Sequence, residues 1–173
     1  APAYTDAGIY NTYYQVTKAN YTTVQGSAIV TIEKAAGVIS FAESSVSKTY
    51  GDADFTNTLT NTGDGTVTYT SNNESVATVN SETGLIHIVG SGEATITATV
   101  VDGTNYTYAT KTAQYAIGVN TAAMSVTATN YTGTYDGDSH TITAPVTEPE
   151  GTRVKYGTGE GTHDLDEAPA YTD

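Results

Sequence analysis

Cysteine and tryptophan are both absent from the 173 residues, and six lysine or arginine residues stand against nineteen aspartate or glutamate. Without cysteine there is no disulfide framework, no thiolate metal site and no cysteine nucleophile, so stability has to come from packing. A formal net charge of −13, with no cluster of basic residues anywhere, repels phosphate backbones and anionic lipid. Nucleic acid is therefore not expected as a partner, nor is insertion into a membrane. No run approaches the roughly 18 consecutive apolar residues of a spanning helix, and Ala1-Pro2-Ala3-Tyr4 does not have the form of a signal peptide. Helical periodicity is missing as well, since no window sustains apolar residues at i, i+3, i+4 and i+7.

What is present is β-forming. Fourteen tyrosines, with two phenylalanines and one methionine, sit among many Thr and Val. Period-two alternation recurs between Gly, Asn and Asp punctuation. In the middle of the chain it predicts strands near 38–42, 45–49, 55–60, 66–71, 76–80, 85–89, 93–101 and 110–118. Turn residues separate them, among them Asn61-Thr62-Gly63-Asp64-Gly65, Ser81-Glu82-Thr83-Gly84 and Asp102-Gly103. Ala94, Ile96, Ala98 and Val100 fall on one face of their strand and Thr95, Thr97 and Thr99 on the other. One face is expected in the core and one in water, the pattern of an all-β antiparallel sandwich.

Self-similarity organises the chain. Ala1-Pro2-Ala3-Tyr4-Thr5-Asp6 recurs unchanged as Ala168-Pro169-Ala170-Tyr171-Thr172-Asp173. Asn20-Tyr21-Thr22 matches Asn105-Tyr106-Thr107, and Thr49-Tyr50-Gly51-Asp52 resembles Thr134-Tyr135-Asp136-Gly137, both 85 residues apart. These landmarks predict one period of a tandem array with two related modules of about 80 to 90 residues each. Residues 36–119 carry the full set of landmarks, 120–173 only the early ones and 1–35 only the late ones. The expected division is a complete domain at 36–119 between two halves of a second type. Short linkers are expected at Lys34-Ala35-Ala36 and Asn120-Thr121-Ala122.

The run Asn73-Glu74-Ser75-Val76-Ala77-Thr78-Val79-Asn80, with Thr83-Gly84-Leu85-Ile86 and Val89-Gly90-Ser91-Gly92-Glu93-Ala94-Thr95-Ile96-Thr97-Ala98, resembles a group 2 bacterial immunoglobulin-like domain. The resemblance implies that Val76, Ala77 and Val79 are core positions, that Thr83-Gly84 forms a hairpin, and that the module is a non-catalytic spacer or adhesion unit. The split module is similar to MBG-type repeats of large secreted bacterial proteins. Its carriers are Tyr131-Thr132-Gly133-Thr134-Tyr135-Asp136-Gly137 with His140, and Tyr4-Thr5-Asp6-Ala7-Gly8-Ile9-Tyr10 through Asn20-Tyr21. The segment Asp6-Ala7-Gly8-Ile9-Tyr10 also has the form of a tyrosine corner, in which a Tyr hydroxyl bonds back to nearby backbone.

Chemistry finds little purchase. His87, His140 and His163 have no second His or Cys at ligand spacing, and His87 alternates with Ile86 and Ile88 toward solvent. Asp52 with Asp54, and Asp136 with Asp138, place hard oxygen ligands in turns where calcium is the cation to consider, yet neither pair matches an EF-hand loop and solvated turn carboxylates explain them better. Gly90-Ser91-Gly92 has no following helix and reads as a turn. Glu148 with Glu150, and Asp164 with Asp166 and Glu167, are loop carboxylates lacking the buried partner that glycosidic chemistry needs. Lys34 and Lys155 are the candidates for an intramolecular isopeptide bond, and alternation turns both outward. Tyr10 and Tyr14 share a face with Val16, whereas Tyr13 points the other way as a candidate ligand contact. No cofactor and no catalysis are expected.

Together these readings anticipate an extracellular stalk or spacer repeat of a bacterial surface adhesin or fibre, made of immunoglobulin-like antiparallel β-sandwich modules in tandem. Its expected partners are neighbouring copies, joined head to tail through complementary half-domains. Binding of a host glycan or protein through exposed tyrosines is the alternative.

Overall fold

The computed structural model describes residues 1–149 and 151–172. Glu150 and Asp173, named above in a carboxylate pair and in the repeated hexamer, lie outside the described residues, as does the side chain of Glu148. The chain divides into two compact units, Ala1–Thr121 and Ala122–Asp173.

The first unit opens with a hairpin of two nine-residue strands, β1 (Gly8–Val16) and β2 (Val24–Ile32), paired antiparallel from Gly8↔Ile32 to Val16↔Val24. Short strands β3 (Ala35–Gly37) and β4 (Ile39–Phe41) come next, then β5 (Ser45–Thr49), β6 (Leu59–Asn61) and β7 (Val67–Ser71). A tight hairpin joins β8 (Ala77–Val79) to β9 (Ile86–Ile88), and β10 (Gly92–Val100), β11 (Tyr106–Tyr108) and β12 (Thr112–Asn120) complete the unit. One sheet has the order β5-β12-β10-β7, with β5 and β12 parallel and the other pairs antiparallel. Across the core are the pairs β4-β6 and β8-β9, and Phe55 bridges to Ile86 beside the latter. β3 runs parallel to β11. The result is an all-β, immunoglobulin-like sandwich.

Alternation explains its interior. On β10, Ala94, Ile96, Ala98 and Val100 are buried, and on β12 so are Tyr115, Ile117 and Val119. Ile86 and Ile88 reach them from β9, Val76 and Ala77 from the β8 side, and Phe41 meets the Tyr115 ring edge-on with 4.6 Å between centroids. A second cluster gathers Ile39, Ala98, Val100 and Tyr108 near the other pole. Val79 is partly buried at the margin of the first. The threonine face of β10 is half-covered rather than wet, because β7 and β12 flank it on both sides and Gln114 Nε2 donates to Thr97 Oγ1 at 2.9 Å.

Three expectations need correction. Residues 55–60 do not form one strand: Phe55 makes an isolated bridge, and Asn57 turns aside to exchange hydrogen bonds with Glu43, donating from Nδ2 at 2.8 Å and accepting from its N–H at 3.2 Å. Lys34-Ala35-Ala36 is not a free linker, because Ala35 N donates to Asn105 O at 2.8 Å and begins β3. Asn120 likewise belongs to β12, opposite Thr49. Strands β3 and β11 lie outside the ranges that alternation predicts.

The second unit holds β13 (Ser125–Thr129), β14 (Ser139–His140), β15 (Thr143–Glu148) and β16 (Tyr171–Thr172). β13 pairs antiparallel with β15 and β14 with β16, and Tyr156 bridges Leu165.

Candidate functional site

The hairpin is the least covered part of the first unit. Its strand pairing places Tyr10, Thr12, Tyr14 and Val16 on one face with Val24, Gly26, Ala28, Val30 and Ile32. That face is almost wholly apolar, as the inner face of a sheet would be, yet Tyr14, Val16, Val24, Ala28 and Val30 are all exposed. The Tyr14 ring lies over Gly26, its cross-strand partner, and the Tyr10 ring lies beside Gly8, so tyrosines occupy the room that the glycines leave. Tyr10 Oη donates to the Asp6 carbonyl at 2.9 Å, the geometry of a tyrosine corner. Tyr4 stacks on Tyr10 with 4.1 Å between centroids, and its hydroxyl is 3.3 Å from Thr12 Oγ1. Tyr13, 77% exposed, projects from the opposite face with Ile9 and Ile29.

The base of the hairpin is fastened to the sandwich through Asn105. Its Oδ1 accepts from Ala7 N at 2.6 Å, and its Nδ2 donates to Asp6 Oδ1 at 3.0 Å. Asn105 is itself held by Asp64, whose Oδ2 accepts its backbone N–H at 2.8 Å. Lys34, in the connection that follows β2, donates from Nζ to Gly103 O at 2.7 Å. Asn105 was legible as a repeat landmark, but its role as a clasp depends on a contact 98 residues away in sequence.

In the second unit an open recess of about 580 Å³ is lined by Tyr131, His140, Ile142, Tyr156, Pro169 and Tyr171, among others. Tyr131 and His140 stack with 4.4 Å between centroids. His140 Nε2 is 2.8 Å from Asp136 Oδ1, which also accepts from Asp138 N at 2.9 Å. These bonds, the backbone one first, hold the Asp136 carboxyl below its usual range.

Among the other candidate carboxylates, Asp52, Asp54 and Asp166 are already engaged. Asp52 Oδ2 accepts from Thr49 N at 2.9 Å, and Asp54 Oδ1 lies 2.8 Å from His87 Nδ1. His87 faces solvent between the buried Ile86 and Ile88. Lys155 and Arg153 converge on Asp166 at 2.8 and 2.9 Å and lower its carboxyl, with Lys155 the larger influence. Among the described residues no three His, Asp or Glu side chains gather as a metal-holding group.

Two polar anchors were visible in the sequence only as turns. Tyr108 Oη donates to Asn61 Oδ1 and accepts from Gly65 N at 3.1 Å, tying the Asn61–Gly65 turn to the core. Asp102 pairs with Lys111 and accepts from Tyr108 N at 2.9 Å. Those two bonds, Lys111 foremost, bring the Asp102 carboxyl down to about 2.

Residues 45–111 match the bacterial Ig-like domain (group 2) family. Such domains are in general non-enzymatic and occur in bacterial surface proteins. The match stops before β12, although β12 lies between β5 and β10 in the sheet and contributes three core residues, so the sandwich extends beyond the matched span. No curated protein matches the chain.

Proposed function

We propose that the chain is a non-catalytic spacer segment of an extracellular bacterial surface protein, in which complete sandwiches alternate with a second module of MBG type. Residues 120–173 supply the early half of that module and residues 1–35 of a neighbouring copy supply the late half. Copies then join head to tail, a heterologous contact that does not close and so builds a rod or fibre. Acidic charge on every copy keeps the rod soluble and opposes folding back.

The observation that carries this reading is the bare apolar face of the β1–β2 hairpin. Tyr14, Val16, Val24 and Val30 stand in the positions that face a second sheet in a sandwich, and all four are exposed. Two strands alone are marginal in water, which makes a covering layer energetically valuable. Exposed apolar side chains on the second unit, Met124, Val126, Ile142 and Leu165, are the counterpart. The Ig-like family of residues 45–111 supports a structural role.

Light scattering behind size exclusion, run over a concentration series at about 0.15 M salt to screen like charge, tests the assembly. The weight-average mass is expected to rise with concentration. A constant monomer mass throughout the series would refute assembly between copies.

A further inference from the structure

The chain carries one strand pairing twice. The hairpin pair Gly8↔Ile32 corresponds to Gly92↔Val119 in the complete sandwich, where β10 and β12 run antiparallel as β1 and β2 do. Inward positions then agree. Tyr10, Thr12, Tyr14 and Val16 stand where Ala94, Ile96, Ala98 and Val100 do, and Ala28, Val30 and Ile32 stand where Tyr115, Ile117 and Val119 do. In the second unit β13 pairs antiparallel with β15 as β4 pairs with β6. What has no such pairing is the counterpart of β5. That strand follows β4 and lies parallel to β12, on the side away from β10, from Ala116↔Ser45 to Asn120↔Thr49. The repeat that relates Thr49-Tyr50 to Thr134-Tyr135 makes Asn130–Thr134 its equivalent. Those five residues belong to no strand, and among the described residues β2 has a strand on one side only.

We propose that Asn130–Thr134 of a neighbouring copy adds to the bare edge of β2 as a parallel strand, in the register that runs from Ile29↔Asn130 through Thr31↔Thr132 to Glu33↔Thr134. That edge is the joint of the head-to-tail assembly proposed above and rests on that reading. In the complete sandwich Ala116 N donates to Ser44 O at 3.1 Å and Asn120 O accepts from Tyr50 N at 2.9 Å, so alternate residues of β12 turn their backbone groups toward β5. Their counterparts Ile29, Thr31 and Glu33 turn theirs to the empty side of β2, a template for one more strand. Val46 of β5 packs against the core, and Tyr131 takes the same inward place beside Val30. A ring that is 48% exposed in its own unit thereby covers part of the bare face of the hairpin. Glu33 is the one charged residue in the two paired segments, so acidic copies meet here without opposing like charges.

The register gives a direct test. Thr31 and Thr132 correspond to Gly118 and Ser47, directly opposed on the outer face of the sheet. Neighbouring strands lie about 4.7–4.9 Å apart, inside the Cα separation that a disulfide spans. The chain has no cysteine, so Thr31→Cys and Thr132→Cys placed on separate chains report without background. After the two are mixed and oxidised with oxidised glutathione, a crosslinked heterodimer is expected in several-fold excess over a Thr31→Cys and Glu82→Cys control pair. Thr31→Pro removes an N–H on the empty side of β2 and leaves the ladder to β1 alone. It should move the onset of the mass increase to several-fold higher concentration, with the tyrosine circular dichroism of the parent retained. If mass rises with concentration but the crosslink does not exceed the control, or Thr31→Pro assembles like the parent, this edge is wrong while head-to-tail joining stands. If the parent chain stays monomeric and the cysteine pair uncrosslinked at every concentration, both fail.

Discussion

Replacing Tyr108 by phenylalanine removes one oxygen atom from a residue only 2% exposed and leaves its ring in place. That oxygen donates to Asn61 Oδ1 and accepts from Gly65 N, so its loss strands a backbone donor in a part-buried turn. Asn61 Oδ1 keeps a second donor, Gly63 N at 3.2 Å, which makes the orphaned Gly65 amide the larger cost. An unsatisfied group of this kind costs about 1–3 kcal/mol, and we take about 2. For a module of this size that corresponds to a fall of roughly 8–16 °C in melting midpoint. Because tryptophan is absent, near-ultraviolet circular dichroism of the tyrosines is the probe, with urea unfolding of the Tyr108→Phe variant beside an exposed control, Tyr50→Phe. The control should stay within about 0.5 kcal/mol of the parent. A Tyr108→Phe variant as stable as the control, with an unchanged urea dependence, would refute the anchoring of the Asn61–Gly65 turn by this hydroxyl.

Two further outcomes are expected. Ile96→Ala, at a position 1% exposed in the centre of the main sheet, should cost about 3–4 kcal/mol in urea unfolding, whereas Thr97→Ala on the half-covered face should cost under about 1. Burial first, and then neighbouring Tyr69, push the Tyr115 phenol up to about 12 from its ordinary 10.0. The native state therefore holds that proton more tightly than the unfolded chain, so its contribution is fully present below about pH 10 and is lost as pH rises toward about 12. The loss amounts to roughly 2–3 kcal/mol, and urea midpoints measured across that window should fall less steeply for Tyr115→Phe.

Much of the fold was legible from local pattern. Strands at 45–49, 67–71, 77–79 and 86–88 lie on or within the ranges that alternation predicts, and β10 is displaced by a single residue. Side-chain period in an extended chain is two, so a run such as Ala94 to Val100 declares its inward face without reference to any partner. The predicted strand at 110–118 begins two residues late, at Thr112, and runs on to Asn120 because pairing with β5 extends it. The segment 55–60 failed for the opposite reason, since its hydrogen bonds go to Glu43 and Ile86 rather than along one ladder.

Composition and alternation by themselves determined the all-β class, the faces of the strands, the acidic surface and the repeated hexamer, because each is a property of residue type and sequence distance alone. Tertiary structure decided the clasp at Asn105, the anchors at Tyr108 and Asp102, the parallel pairs β3-β11 and β5-β12, and the unequal settings of two identical hexamers. Those features join residues far apart in the chain, and which distant groups meet is set by how the sheets pack, a quantity that no local pattern encodes.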